Sequence, residues 1–238
     1  MEPAWLSEAL QTLTLTSEVE EYLLGRGTRE STILAEGLVT WKPLKTAAPD
    51  PTFRSQYGEH GEKLDGMLVI PVRSPRGVLL GFEARNIYQK RILDYRLAAA
   101  KYLPFFIGTR RAMSAIWAGA DIWIVEGFFD LTALEWGIPP GHVVLATVRA
   151  NLTRQQLEFL RRFCKGRVHM AYDMDPTGRK AVEGWDDDQK KHHPGAIELL
   201  ERVGLPCSNE KYDGGKDPGE IWDHGGEAAI RATFANRR

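Results

Sequence analysis

Cysteine is scarce: the 238 residues hold two, Cys164 and Cys207. Two cysteines make neither a disulfide framework nor a four-cysteine zinc ribbon, so the chain is expected to work in a reducing cytoplasm. Long apolar runs are absent as well. No uncharged stretch approaches the ~20 residues of a membrane helix, so no membrane association is expected. The N-terminus reads Met1-Glu2-Pro3-Ala4-Trp5, with Glu8 close behind. It has neither the basic flank nor the apolar stretch of a signal peptide, and export is not expected. Gly-x-x-x-x-Gly-Lys-Ser/Thr does not occur, which excludes a P-loop ATPase. There is no Ser-His-Asp ordering, internal repeat or low-complexity tract. Net charge is also low, −1 from 31 basic and 32 acidic residues. Hydrophobic residues at 43% and charged residues at 26% are globular proportions and exclude a disordered or fibrous chain.

The near-zero net charge hides an asymmetry. Residues 73–111 carry nine basic side chains against Glu83 and Asp94, a block of +7. Residues 149–167 carry six against Glu158, a block of +5. Screening confines such fields to ~8–10 Å, so two local basic blocks offer a polyanion a track even on a neutral protein. A solvated surface is the plainer alternative.

The first sixty residues read as small helices. Ser17 with Glu20 forms a capping box, which predicts a helix bearing Val19, Tyr22 and Leu23 and ending near Gly25 or Gly27. A second helix is expected around Arg29–Glu36. The Pro- and Gly-rich run 42–66 reads as a linker or irregular lobe. Met67–Val72 and Val78–Glu83, split by Ser74-Pro75-Arg76-Gly77, predict a hairpin. Mixed basic sequence follows to Gly119. From Asp121 the pattern alternates: strand Ile122–Val125, helix Phe128–Trp136, strand His142–Leu145, helix Thr153–Phe163, strand Val168–Tyr172, helix from Thr177. That alternation means an α/β fold, a parallel sheet flanked by helices. Residues 183–195 read as a surface excursion. A helix Ala196–Val203 and a strand near Leu205–Ser208 continue the fold. Asp217 caps a helix with Pro218 at its first position, Gly225-Gly226 breaks it, and a last helix runs to about Asn236.

Parallel sheets bind ligands at the carboxyl ends of their strands. Two strand ends carry acids: Glu126-Gly127-Phe128-Phe129-Asp130, and Asp173-Met174-Asp175-Pro176-Thr177-Gly178. In Asp-x-Asp on extended chain, both carboxylates project from one face. Two carboxylates ~4 Å apart repel by about 4 kcal/mol at an effective dielectric of 20, and a bridging divalent cation removes that cost. Oxygen-only ligands select Mg2+ or Mn2+. Alone, Asp-x-Asp is commonly a helix cap and Glu-Gly uninformative. Together, 47 residues apart at neighbouring strand ends, they point to a metal-dependent site.

These two motifs resemble the TOPRIM fold, shared by bacterial-type (DnaG-like) primases, topoisomerases and several nucleases. Four further stretches, in order, are similar to the primase branch: Tyr22-Leu23-Leu24-Gly25-Arg26-Gly27, Ile70-Pro71-Val72 with Gly81-Phe82-Glu83-Ala84-Arg85, Lys101-Tyr102-Leu103, and Lys216-Asp217-Pro218. Together they cover roughly residues 17–223. The resemblance implies a core that makes short RNA primers on a single-stranded DNA template from ribonucleoside triphosphates. It implies a mixed α+β lobe over 1–112, a TOPRIM domain over 113–210 and a helical segment over 211–238. Glu126, Asp173 and Asp175 would hold catalytic Mg2+ or Mn2+, and Asp130 and Asp217 would complete the acidic cluster. Arg85, Lys101 and Tyr102 would bind nucleotide phosphates or template, and from its charge alone the 73–111 block, with Lys90, Arg91 and Arg96, is expected to guide the template strand.

The sequence departs from the family pattern in several places. Met67 stands where arginine is expected, Pro104 where asparagine is usual, Arg149 where glycine is usual, and Gly219 in place of the second aspartate of Asp-Pro-Asp. A zinc ribbon and a helicase-binding domain are not expected in the chain. Start-site selection and helicase coupling would then fall to a helicase or a zinc-ribbon protein in trans, as suits a phage or other mobile element. A TOPRIM nuclease and a non-catalytic single-stranded DNA-binding or assembly subunit are the alternatives. His192-His193 with Asp186–Asp188 reads as a solvated loop, Cys164 as core, and the seven tryptophans mostly as core, with base stacking the lesser alternative for Trp41 and Trp185.

Overall fold

The computed structural model describes residues 4–149 and 151–235. They divide into two compact units, one running to Gly25 and resuming over Arg29–Leu103, the other comprising Arg26–Thr28 and the chain from Pro104 onward.

The first unit holds helices α1 (Ala4–Thr12), α2 (Ser17–Gly25), α3 (Glu30–Glu36) and α4 (Pro51–Tyr57), and strands β1 (Val39–Thr40), β2 (Leu68–Arg73), β3 (Leu79–Arg85) and β4 (Ile92–Arg96). The strands form an antiparallel sheet in the order β1-β2-β3-β4. The hairpin forms as its turn predicts. α2 begins at Ser17, with the Thr16 carbonyl taking the Glu20 N–H, so Ser17 is the first helical residue rather than the cap. The run 42–66 is more ordered than a linker. Asp50 caps α4 by accepting the Thr52 and Phe53 N–H groups at 2.7 and 3.2 Å, Pro51 opens the helix and Gly58 ends it. Two of the residues that suggest a linker, Pro51 and Gly58, are the two ends of a helix. Asp50 also accepts the Tyr95 hydroxyl at 2.6 Å, and Tyr57 donates to the Asp94 carbonyl at 2.6 Å, fastening α4 to β4. The core includes Leu6, Leu10, Phe53, Tyr57, Met67, Val69, Phe82 and Tyr95. Met67 is 2% exposed, so an apolar side chain suits the place where the family pattern has arginine. Trp41 is fully buried against Phe53 and Phe82, which rules out base stacking.

The second unit carries α5 (Thr109–Ala118), β5 (Ile122–Val125), α6 (Phe128–Leu134), β6 (Val143–Ala146), α7 (Arg154–Phe163), β7 (Val168–Met170), α8 (Pro176–Glu183), β8 (Trp185–Asp186), β9 (His192–His193), α9 (Ala196–Arg202), β10 (Cys207–Asn209) and α10 (Pro218–Phe234). Four strands form a wholly parallel sheet in the order β10-β7-β5-β6. Central β5 is buried at every position, as its uninterrupted Ile-Trp-Ile-Val run requires. α7 opens on the Thr153–Gln156 capping box, with both reciprocal bonds formed. β8 and β9 make a small exposed hairpin, the expected excursion. There His192 pairs with Asp186 and Glu198, and His193 with Asp187. α10 kinks at Gly226 (φ 59°, ψ −150°), where the glycine pair predicts a break. Asn236, the expected end of the last helix, lies outside the described residues. α10 packs on α6, which places residues 211–235 within this unit. No described helix is long and apolar enough to cross a membrane.

Candidate active site

Five acids meet at the carboxyl end of the parallel sheet, all within the second unit. Glu126 follows β5 directly. Asp130 lies in the first turn of α6. Asp173 and Asp175 occupy the loop from β7 to α8, and Asp217 opens α10. Three loops are fastened so that they converge. The Met174 N–H donates to the Lys216 carbonyl at 2.6 Å, joining the Asp173 loop to the Asp217 loop. The Tyr212 hydroxyl donates to the Tyr172 carbonyl at 2.9 Å. Asp130 accepts the N–H groups of Gly127 and Gly219, each at 3.1 Å.

Each carboxylate has a distinct environment. Asp175 spends Oδ1 on capping α8, accepting the Thr177 and Gly178 N–H groups at 2.8 and 2.9 Å. Asp217 caps α10 through the Glu220 N–H at 2.6 Å and pairs with the Lys216 ammonium at 3.2 Å. Glu126 Oε1 is buried with no hydrogen-bond partner. Burial, then Asp173 and Asp175, push the Glu126 carboxyl up to about 7. Burial and Asp217 raise Asp173 to about 6, against the pull of Lys216. Asp130 is held well above the usual carboxylate range by loss of water around it, with Asp217 and Asp173 adding to the shift. The Lys216 ammonium is raised in turn by Asp217.

An orphaned buried carboxylate oxygen facing two other acids is a place for a cation. The donors are all oxygens, which suits a hard divalent ion. Gly178 lets the backbone close over this spot: a Cβ there would lie 2.1 Å from the Asp173 carbonyl and 3.0 Å from Glu126 Oε1. On the β6 side, Val148 adopts a left-handed conformation (φ 65°) and donates its N–H to the Glu126 carbonyl at 2.9 Å. A β-branched residue held there costs on the order of 1–3 kcal/mol, strain of the kind that gathers at functional sites.

The basic residues singled out from the sequence lie on the first unit. Arg85 ends β3, Lys90 and Arg91 sit on the exposed β3–β4 connection, and Lys101 and the exposed Tyr102 follow β4 on a short turn of helix. Arg96 differs. Its side chain is 13% exposed, and its guanidinium donates to the Phe82 and Tyr95 carbonyls. It is therefore committed to holding the sheet. Sequence reasoning missed Tyr88, 70% exposed on the same connection, where Asn86 Oδ1 accepts the N–H groups of residues 88 and 89. The Asn86–Arg91 run between two strands was its available signal. Lys216 and Arg26 lie within the motif stretches at 216–218 and 22–27. Arg26 pairs with Asp223 and lies 5.1 Å over the Phe129 ring.

A second group stands at the opposite end of the sheet. Asp121, His142 and His169 each bring a ligand atom within 4.8 Å of the others, a possible acidic-histidine metal set. The Trp123 indole N–H donates to His142 Nδ1 at 3.0 Å, which leaves the ring proton on Nε2, the atom facing Asp121. His169 Nδ1 lies 2.9 Å from Glu210, and Asp121 accepts the Arg167 N–H at 2.7 Å. In this arrangement the group is a hydrogen-bonded cluster, and no pattern of spacing announced it.

Comparison with known proteins agrees with the site. Residues 123–221 match the family described as Toprim-like, a span that includes Glu126, Asp130, Asp173, Asp175 and Asp217. The DNA primase of Aquifex aeolicus (strain VF5) is 30% identical over 169 residues, covering 69% of this chain and 31% of that protein. The DNA primase of Deinococcus radiodurans is 25% identical over 213 residues, covering 88% of this chain and 33% of that protein. The chain is a homologue of the DnaG-type primase catalytic core. It spans about a third of the length of these curated relatives. The fold agrees over almost the whole chain. The crystal structure of the zinc-binding and RNA polymerase domains of Aquifex aeolicus primase superposes with a TM-score of 0.67 at 22% identity, over 96% of this chain and 60% of that one. A DnaG primase catalytic domain bound to single-stranded DNA superposes with a TM-score of 0.65 at 19% identity, over 95% of this chain and 77% of that one. The expected architecture of a parallel TOPRIM sheet preceded by a mixed α+β lobe is therefore the primase-core fold.

Proposed function

We propose that this primase-core homologue synthesises short RNA primers on single-stranded DNA by metal-dependent nucleotidyl transfer. The observation that carries the proposal is the set of acids at one sheet end, with Glu126 Oε1 buried and unpartnered among them. Glu126, Asp173, Asp175 and Asp217 would hold Mg2+ or Mn2+. The cation, when bound, supplies positive charge to the transferring phosphoryl group and acidifies the attacking hydroxyl. The chain's own residues prepare that event. Dehydration and mutual repulsion keep the acids poised to bind a cation. The Lys216 ammonium, fixed by Asp217, offers a positive charge to a phosphate oxygen. The Gly178 N–H and the start of α8 bring the backbone close to the acids.

Template and nucleotide contacts fall to Arg85, Lys90, Arg91, Lys101 and Tyr102, with Tyr88 as a stacking surface. Arg96 serves by holding β4 to β3. Phosphate contacts of this kind bind strand without reading sequence. The solved Aquifex primase carries a zinc-binding domain beside its RNA polymerase domain. For this chain, start-site selection belongs to a zinc-ribbon module or a helicase acting with the core. The test is incubation of the purified protein with single-stranded DNA, labelled ribonucleoside triphosphates and Mn2+. New RNA of primer length that disappears in Asp173→Asn supports the proposal. Shortened DNA would mean a nuclease, and neither product a binding subunit.

A further inference from the structure

Both oxygens of Asp130 accept backbone N–H groups, whereas Asp217 gives one oxygen to the Glu220 N–H and the other to the exposed Lys216 side chain. Asp130 is the third residue of α6, and its Oδ2 reaches back to the Gly127 N–H at 3.1 Å, the half of a capping box that a glycine cap leaves available. Gly127 is the residue immediately after Glu126. The Oδ1 of Asp130 accepts the Gly219 N–H at 3.1 Å, and Gly219 lies two residues after Asp217. One carboxylate thus ties the backbone beside Glu126 to the backbone beside Asp217, through a contact between residues 89 positions apart in sequence. Two hydrogen bonds from backbone to one buried carboxyl fix both loops. A cation on either Asp130 oxygen would share it with an amide hydrogen of like partial charge. Glu126 Oε1 meets no such competitor.

Gly219 fits the same arrangement. A Cβ at 219 would come within 3.1 Å of Asp130 Oδ1, 3.2 Å of Arg26 Nη2 and 3.2 Å of Asp217 Oδ1. The space that a longer side chain would claim is bounded by the Arg26 guanidinium, which Asp223 and the Phe129 ring hold in place. With glycine there, the α10 loop brings one carboxylate, Asp217, to the ion, and presses its Gly219 N–H against Asp130.

We infer that Asp130 is a positioning residue: it does not ligate the metal but bridges Gly127 and Gly219, setting the spacing of the Glu126 and Asp217 carboxylates that do. The inference rests on the acidic cluster being a divalent-cation site. The probe is Mn2+ alone, with affinity from titration and the number of ion-bound waters from water-proton relaxation. Asp173→Asn is the ligand control and should add about one coordinated water. Asp130→Asn keeps the shape but turns an amide N–H toward one of the two backbone donors. It should weaken Mn2+ by roughly 10–100-fold, the range seen when groups that orient ligands are removed. Its bound-water count should match wild type. An added water in Asp130→Asn, or unchanged affinity, overturns the inference. Gly219→Ala leaves Asp130 intact and crowds the bridge from the other side, so it tests the inference should Asp130→Asn not fold. It should lower Mn2+ affinity with the water count unchanged, and an affinity equal to wild type overturns the inference. The Gly127 and Gly219 amide proton shifts report the bridge without metal, and both should move in Asp130→Asn. A wild-type protein that binds no Mn2+ yet shows the paired amide shifts would refute the cation site and leave the bridge standing.

Discussion

Replacing Asp173 by asparagine should stabilise the metal-free protein while abolishing catalysis. Its carboxyl is raised from 3.8 to about 6 by burial and by Asp217. A group whose folded value lies above its unfolded one keeps its proton longer in the folded state. The resulting penalty is absent below about pH 4, grows as the pH rises to about 6, and is complete above that. A rise of that size corresponds to about 3 kcal/mol, and partial exposure makes about 1–3 kcal/mol the working range. Glu126, raised to about 7 partly by the charge on Asp173, relaxes at the same time. For a chain of this length each kcal/mol moves Tm by roughly 2–4 °C. Calorimetry in EDTA at about pH 7.5 should show Asp173→Asn melting roughly 2–12 °C above wild type, with the difference vanishing near pH 4. Added Mg2+ should narrow or reverse the gap, because binding stabilises the intact site more than the depleted one. Primer synthesis should fall by at least about 100-fold, the scale for losing one electrostatic stabiliser of a developing charge. A metal-free variant less stable than wild type at that pH, or one that still makes primers, would refute this account of the cluster.

Three further outcomes test separate parts of the structure. Lys90→Ala with Arg91→Ala should lower the slope of log affinity for single-stranded DNA against log salt by roughly 1.4, at about 0.7 for each phosphate no longer neutralised, measured by fluorescence anisotropy. An unchanged slope would move the track to residues 149–167. Asp175→Ser should retain the α8 cap and melt within roughly 0.5 kcal/mol of wild type, whereas Asp175→Ala should lose about 1 kcal/mol, and both should lose primer synthesis. Equal melting of the two variants would contradict the capping role. Gly178→Ala should abolish synthesis without replacing an acid, because its Cβ would collide with the Asp173 carbonyl and crowd Glu126 Oε1; full activity would show that the loop yields.

Much of the fold was legible because its signals were local. β5 is an uninterrupted apolar run buried at every position, β7 is buried throughout with His169 between two apolar residues, and α7 and α10 announce themselves through capping residues. What was missed depended on tertiary partners. α5 is rich in arginine and small residues; Thr109, Ala112 and Ile116 are buried and Met113 packs beside them, too thin an apolar stripe to stand out. β4 buries only Tyr95 and is a strand because β3 supplies its hydrogen bonds. Trp41 has polar neighbours in sequence but aromatic ones in space. Arg96 counted as charge until its carbonyl partners showed where it points. The site followed the same division. Residue types and strand ends marked Glu126, Asp173 and Asp175, while the roles of Asp130, Gly219 and Arg26 rest on a contact between segments 89 residues apart.

The dipeptide Asp-Pro occurs at 50–51, 175–176 and 217–218, and in each case the aspartate caps a helix whose first residue is the proline. The local physics is the same three times: a carboxylate accepts backbone N–H groups, and the ring fixes the opening dihedral. Only position in the sheet separates their functions. Asp50 turns its second oxygen to the Tyr95 hydroxyl and locks a helix onto an antiparallel sheet. Asp175 and Asp217 stand at the carboxyl end of a parallel sheet, beside Asp173 and the unpartnered oxygen of Glu126. A capping aspartate is already aimed and ordered by its helix, so it reaches a cation with little side-chain entropy left to lose. On the proposed function, the caps that start α8 and α10 would therefore do two things at once: end the loops beside Glu126, and deliver pre-oriented carboxylates to a cation. That double use would explain why a motif of the fold and a motif of the chemistry coincide in the same residues, and why substitution at 175 or 217 must be read with a capping control before any loss of activity is assigned to the metal.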